Sequence, residues 1–174
     1  MEEVAASPPS VRLVVSSPDR MRDLGRALAK LLRAGDLVML TGELGAGKTT
    51  LTRGLGEGLG VRGAVTSPTF VIARVHPSLG DGPPLVHVDA YRLSGGLDEM
   101  EDLDLDVSLP ESVIVVEWGE GRLEELTDDR LQLVIHRAVG DTTDEVRHVT
   151  LTGLGDRWTG TDLSALSALS ALSA

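Results

Sequence analysis

Nine consecutive residues, Gly42-Glu43-Leu44-Gly45-Ala46-Gly47-Lys48-Thr49-Thr50, limit what this chain can become more than any other stretch. The first eight satisfy the pattern G-x-x-x-x-G-K-[ST] in full. Glycines let the backbone turn tightly and aim several N–H groups inward, which makes a nest for an anion. A helix that starts after such a loop adds the positive end of its dipole. In this pattern the lysine, here Lys48, reaches β- and γ-phosphates, and the hydroxyl of Thr49 can ligate magnesium. Chance clustering would be the bland explanation in a chain with 20 glycines, but the chain has only two lysines, Lys30 and Lys48, and one stands at the required place.

The flanks have the context that the pattern demands. Asp36 to Thr41 is a short apolar run suited to a buried strand of a parallel sheet. A helix is expected from the loop to about Leu59, although Gly54, Gly56 and Gly58 weaken it by about 1 kcal/mol each relative to alanine. Upstream, Val11 to Val15 reads as a strand. Ser16-Ser17-Pro18-Asp19 then has helix-start chemistry, and Met21, Leu24, Leu28, Leu31 and Leu32 follow at helical spacing until Gly35. Further strands are expected at Phe70 to His76, Leu85 to Asp89 and Val113 to Val116, with a closing hairpin or edge pair from Leu131 to His136 and Val146 to Leu151. The fold class that results is α/β, a three-layer P-loop NTPase-like fold with a mostly parallel central sheet, flanking helices and closing antiparallel edge strands. The expected division is a flexible lead-in over 1–10, one domain over 11–155 and a low-complexity tail over 156–174. In that tail Leu-Ser-Ala repeats four times, a period of 3 that does not match the 3.6 of an α-helix. Its leucines would spiral around an α-helix, so a loosely ordered extension is expected.

A phosphate loop needs a carboxylate at the end of a neighbouring strand, to hold magnesium or its water. Asp89 ends Leu85-Val86-His87-Val88, and Glu117 ends Val113-Ile114-Val115-Val116. In an open parallel sheet the ligand crevice lies at the carboxyl ends of the strands. Either acid alone is as readily the start of a loop; two beside a full phosphate loop suit one metal ligand and one residue that positions water. His87 alternates with apolar residues inside its strand, so a structural role is expected for it.

Charge narrows the partners. Arginine and lysine total 16 against 27 acids, a net charge of −11. Nucleic-acid grips rely on clustered basic side chains, so a broad RNA- or DNA-binding face is not expected. Without cysteine there is neither a disulfide framework nor a thiolate metal site. No apolar run approaches the length of a membrane span, and the start Met1-Glu2-Glu3 lacks the layout of a secretory signal. A cytoplasmic location is expected by elimination.

Beyond the loop, Thr52-Arg53-Gly54, Ser67-Pro68-Thr69-Phe70, His87-Val88-Asp89-Ala90-Tyr91-Arg92-Leu93 and Glu117-Trp118-Gly119-Glu120 follow in order. This series resembles the bacterial tRNA threonylcarbamoyladenosine biosynthesis family TsaE, over about residues 11 to 151. The resemblance implies a magnesium-dependent ATPase, with ATP and Mg2+ as cofactors and with TsaD and TsaB homologues as partners. That machinery places threonylcarbamoyl on adenosine 37 of tRNAs reading codons that begin with A. The TsaE-like member would reset the complex between turnovers and meet tRNA only indirectly, with no DNA and no membrane involved. Carried over by position, Gly42 to Thr50 would hold the nucleotide, Thr49 and Glu117 the magnesium, and Asp89 would lie in the same site and position water. Thr66 to Phe70 would be a switch-like segment near the γ-phosphate, with Thr69 nearest to it. Ser67, Pro68, Phe70, Tyr91 and Trp118 would belong to the switch or partner surface. Asp19 and Arg147 would lie near the base.

Some positions depart from the family. Glu43 replaces its usual aspartate, Gly95-Gly96 and Asp104 alter the stretch after Leu93, Gly119 stands where proline is common, and the Leu-Ser-Ala tail has no counterpart. Arg92 could stabilise transition-state charge, but pairing with the acids between Asp98 and Asp106 is the preferred expectation. That acidic run suits a solvated face, or else a dock for a basic partner. Two other functions stay open at this point, a small metabolite kinase and a nucleotide sensor that does not hydrolyse. A guanine-specific switch is not expected, because its Asn-Lys-x-Asp motif cannot be built in a chain without asparagine. Slow hydrolysis by the isolated chain is expected for want of an obvious internal arginine finger.

Overall fold

The computed structural model describes residues 9–42, 47–61, 73–80, 82–89, 109–117, 129–137, 146–159, 161, 163 and 166. The strands are β1 (Ser10–Val15), β2 (Leu37–Gly42), β3 (Ala73–His76), β4 (Leu85–Asp89), β5 (Val113–Glu117), β6 (Arg130–Arg137) and β7 (Arg147–Leu154). Among the described residues the helices are α1 (Pro18–Ala29) and α2 (Lys48–Leu59), and a 3-10 turn spans Leu109–Glu111. All seven strands form one sheet in the order β1-β7-β6-β2-β5-β4-β3.

The centre of the sheet is parallel: β6 pairs with β2, β2 with β5, and β5 with β4. Its strands are the continuous apolar runs, and Leu37 to Leu40 and Val113 to Val116 are buried throughout. A strand that is apolar on both faces fits only where both faces leave water. The outer pairs β1–β7, β6–β7 and β3–β4 are antiparallel. There the sequence alternates, as in β7, where Val149 and Leu151 are buried and His148 is exposed. The α/β fold with a mostly parallel centre and antiparallel edges is therefore the one expected.

Helix α1 starts where Ser17 caps it by accepting a hydrogen bond from the Arg20 amide, with Pro18 in the first turn. That serine satisfies an amide that has no partner within the helix. Met21, Leu24 and Leu28 of α1 join Leu51 and Leu55 of α2 in one core with Val38, Leu40, Val113, Val115 and Leu133 of the sheet. Removing each such side chain from water contributes about 2 kcal/mol. The glycines of α2, a weakness when read as helix formers, form the seam against α1. A Cβ on Gly54 would lie 2.0 Å from the Arg22 carbonyl oxygen, and one on Gly25 would lie 2.1 Å from that of Leu51. At the edge of this seam Arg22 and Arg26 both pair with Glu57. The hydrogen bond from Arg22, and then that from Arg26, holds the Glu57 carboxyl below its ordinary value.

The core continues past residue 155, where a boundary was expected. Trp158 is fully buried, and Leu163 and Leu166 belong to the same cluster. The Leu166 amide donates to the Leu163 carbonyl at 3.1 Å. That is an i→i+3 bond, and in 3-10 geometry residues three apart share one side. A leucine every third residue therefore suits this short turn, although it does not suit an α-helix. Arg157 fastens the segment: its guanidinium donates to both carboxylate oxygens of Asp36, at 2.9 and 3.0 Å, and to the Leu31 carbonyl at 2.8 Å. Among the described residues no helix is long and apolar enough to cross a membrane.

Candidate functional site

Parallel strands all end on one rim, and the described candidate residues lie toward it. β2 ends at Gly42, and α2 begins at Lys48. Gly47, the N-cap of α2, has φ +114°, and a Cβ there would come within 3.3 Å of the Met21 Cε. Glycine meets both demands, since L residues rarely adopt that φ. With no side chain capping α2, its first-turn amides look to an acceptor outside the helix. Lys48 is buried, and its ammonium folds back to donate to the Gly42 carbonyl at 2.7 Å. Thr49 and Thr50 stand half-buried in the first turn.

Two strands carry the carboxylates to the same rim. Glu117 is in register with Leu40 of β2 on one side and with Asp89 of β4 on the other. Leu40 lies two residues before Gly42, so the end of β5 stands beside the strand that feeds the loop. Glu117 is 5% exposed, and its Oε1 lies 3.1 Å from Nε2 of the fully buried His87. His87 was expected to be structural, and its contact with Glu117 is one that reading along the chain did not find. One signal was present: residues two apart on a strand share a face, so His87 lies on the face of Asp89, one strand from Glu117.

The pair Asp19 and Arg147 reaches the rim from β1 and β7. Arg147 is the first residue of β7 and is in register with Val15, the last of β1. Asp19 follows four residues later, exposed in the first turn of α1. Arg147 is half-buried and donates to the Val146 carbonyl at 3.1 Å. Glu43, Leu44, Gly45, Ala46, Ser67, Pro68, Thr69, Phe70, Tyr91 and Trp118 lie outside the described residues, as does the acidic run, and Asp89 is described in its backbone alone. A separate cleft of about 400 Å³, whose lining includes Arg12, His136 and His148, opens on the antiparallel side of the sheet and contains none of the candidate residues.

Charge and ligand type can be matched to this rim. A buried ammonium and helix amides without a side-chain cap suit a polyphosphate. A threonine hydroxyl and carboxylate oxygens are hard donors of the kind that magnesium takes. The residues present thus fit a magnesium–nucleotide group.

Comparison with known proteins agrees with this architecture. Residues 15–146 match the family described as Threonylcarbamoyl adenosine biosynthesis protein TsaE. A Streptomyces coelicolor protein named tRNA threonylcarbamoyladenosine biosynthesis protein TsaE is 86% identical over 147 residues, which span 84% of this chain and 99% of that protein. The protein of that name from Bacillus subtilis is 41% identical over 144 residues, 82% of this chain and 85% of its own length. The crystal structure of Bacillus subtilis YdiB superposes with a TM-score of 0.69 at 32% identity, covering 98% of this chain and all of that one.

Proposed function

The chain belongs to the TsaE family, and from that premise we propose that it binds and hydrolyses magnesium-ATP in the formation of N6-threonylcarbamoyladenosine at position 37 of tRNAs reading codons that begin with A. Its relatives are named as biosynthesis proteins for this tRNA modification. The observation that supports the ATPase part is that the buried Lys48 donates to the carbonyl of Gly42 at the end of β2, while the buried Glu117 ends the neighbouring parallel strand β5.

In this reading Gly42, Glu43, Leu44, Gly45, Ala46, Gly47 and Thr50 shape the nest for the phosphates. Lys48 turns from the neutral Gly42 carbonyl to phosphate oxygens, which gives its ammonium an acceptor of opposite charge. Thr49 and Glu117 would hold the magnesium, which when bound would supply charge neutralisation at the phosphates. Asp89 orients the attacking water. Thr69 senses the γ-phosphate, with Ser67, Pro68, Phe70, Tyr91 and Trp118 on the switch or partner surface, and Asp19 and Arg147 flank the base. The chain works in the cytoplasm with TsaD and TsaB homologues, resets their complex between turnovers and meets tRNA through them. A net charge of −11 supports that indirect contact.

The test is tRNA modification by a TsaD–TsaB pair under multiple-turnover conditions. The wild-type chain is expected to sustain repeated turnovers and Lys48→Ala to fail. Equal support from Lys48→Ala would overturn the reading.

A further inference from the structure

We propose that His87 is a positioning residue: its Nε2–H fixes Glu117 through Oε1 and leaves Oε2 to face the magnesium–nucleotide group. The inference rests on the role given above to Glu117 and adds the residue through which that carboxylate is aimed.

Burial makes the pairing informative. His87 is fully buried, and its neighbours on β4, Val86 and Val88, are buried as well. A polar ring in such a place needs a hydrogen bond. Among the described residues its one hydrogen bond joins Nε2 to Glu117 Oε1 at 3.1 Å, while the buried Nδ1 has no partner. The register explains the reach: His87 is opposite Val115, and Glu117 stands two residues further along β5. The ring therefore spans diagonally toward the end of the strand, where the carboxylate meets the rim.

The unpartnered Nδ1 decides the tautomer. With the proton on Nδ1, a buried N–H would have no acceptor, and the Nε2 lone pair would face a carboxylate lone pair. With the proton on Nε2, that N–H donates to Oε1 and only an acceptor site on Nδ1 is left over. A buried orphan donor is the rarer and costlier defect. His87 is thus a fixed, one-directional donor. A carboxylate at a strand end can swing about its side-chain torsions, and a rigid ring anchored in the sheet selects one orientation. Such partners of ligating carboxylates typically hold about 10–100-fold in metal affinity or activity.

A purely structural histidine would fill volume only, and the two roles separate in binding. The full chain would be titrated with a fluorescent ATP analogue in EDTA and in Mg2+, and with Mn2+ followed by electron paramagnetic resonance in the presence of a non-hydrolysable ATP analogue. Wild type, Lys48→Ala, His87→Leu and His87→Gln would be compared, with folding checked by thermal denaturation. His87→Leu is expected to keep metal-free nucleotide binding and to weaken Mn2+ binding about 10–100-fold. His87→Gln, whose amide N–H can replace Nε2–H, is expected to restore most of that loss. Folded His87→Leu with wild-type Mn2+ affinity, or His87→Gln as impaired as His87→Leu, overturns the proposal. Loss of nucleotide binding by the wild type itself would instead overturn the reading of the phosphate site. Imidazole 15N shifts of the wild type need no variant: the Nε2–H tautomer is expected at His87, and the Nδ1–H tautomer overturns it.

Discussion

Replacing Gly54 by alanine sets two effects of known sign against each other. Helix α2 gains intrinsic propensity, worth about 1 kcal/mol. Against this, the new Cβ would stand 2.0 Å from the Arg22 carbonyl oxygen, 2.8 Å from its carbonyl carbon and 3.0 Å from its Cα. All three atoms are backbone, so no side-chain rotation relieves the clash and the helices must part by about 1 Å. Overpacking of this kind costs about 1–3 kcal/mol and occasionally more. The pairs that Arg22 and Arg26 make with Glu57 span the same seam and would be stretched. The net expectation is a loss of about 1–2 kcal/mol, or about 2–8 °C in Tm for a domain of this size. Since α2 begins with Lys48 and Thr49, nucleotide affinity should fall as well. Thermal denaturation of Gly54→Ala against wild type measures the loss. Gly80→Ala is the control, because nothing lies within 4 Å of a Cβ at Gly80, and it should change stability by less than about 0.5 kcal/mol. A Gly54→Ala chain as stable as wild type would refute the close approach of the two helices.

Other perturbations test other links. Arg157→Ala leaves the Asp36 carboxylate buried with only the Arg33 amide as donor, and should cost about 3 kcal/mol in denaturant unfolding; a loss near zero would show that the clasp does not hold the segment after β7. Leu163→Ala should cost about 2 kcal/mol, since the side chain is buried in the main core, and a neutral result would detach the tail from the domain. Glu57 has a folded-state pKa below its ordinary 4.5, so its stabilisation is present above that value and is lost as pH falls through the depressed one. The stability gap between wild type and Glu57→Gln should therefore be open at pH 7 and narrow as pH falls from 4.5 through the depressed value, and a gap independent of pH would contradict the pairing.

Local patterns made much of the fold legible. Continuous apolar runs marked β2 and β5, alternation marked β6 and β7, and a serine–proline start marked α1. The strand and helix that flank the glycine-rich motif were legible because the motif itself demands them in consecutive residues. Relations between distant residues were not. Gly54 counts as a weak helix former until Arg22 is placed against it, 32 positions earlier in the chain. His87 looks like an odd core residue until Glu117, 30 residues on, comes within 3.1 Å. Val15, four residues before Asp19, comes opposite Arg147 only because β1 pairs with β7. The first tail leucines were read as a loose extension because an α-helical period was tested, whereas Leu163 and Leu166 are joined by an i→i+3 bond.

The central claim is that Lys48 and Glu117 form an ATP-hydrolysing site that works with partners. The most direct measurement is ATP turnover by the purified chain with Mg2+ and with EDTA, alone and with a TsaD–TsaB pair plus tRNA, alongside Lys48→Ala and Glu117→Ala. The account predicts slow turnover alone, faster turnover with the partners, and loss in EDTA and in both variants. Turnover that ignores the partners, or that survives in either variant, would contradict it.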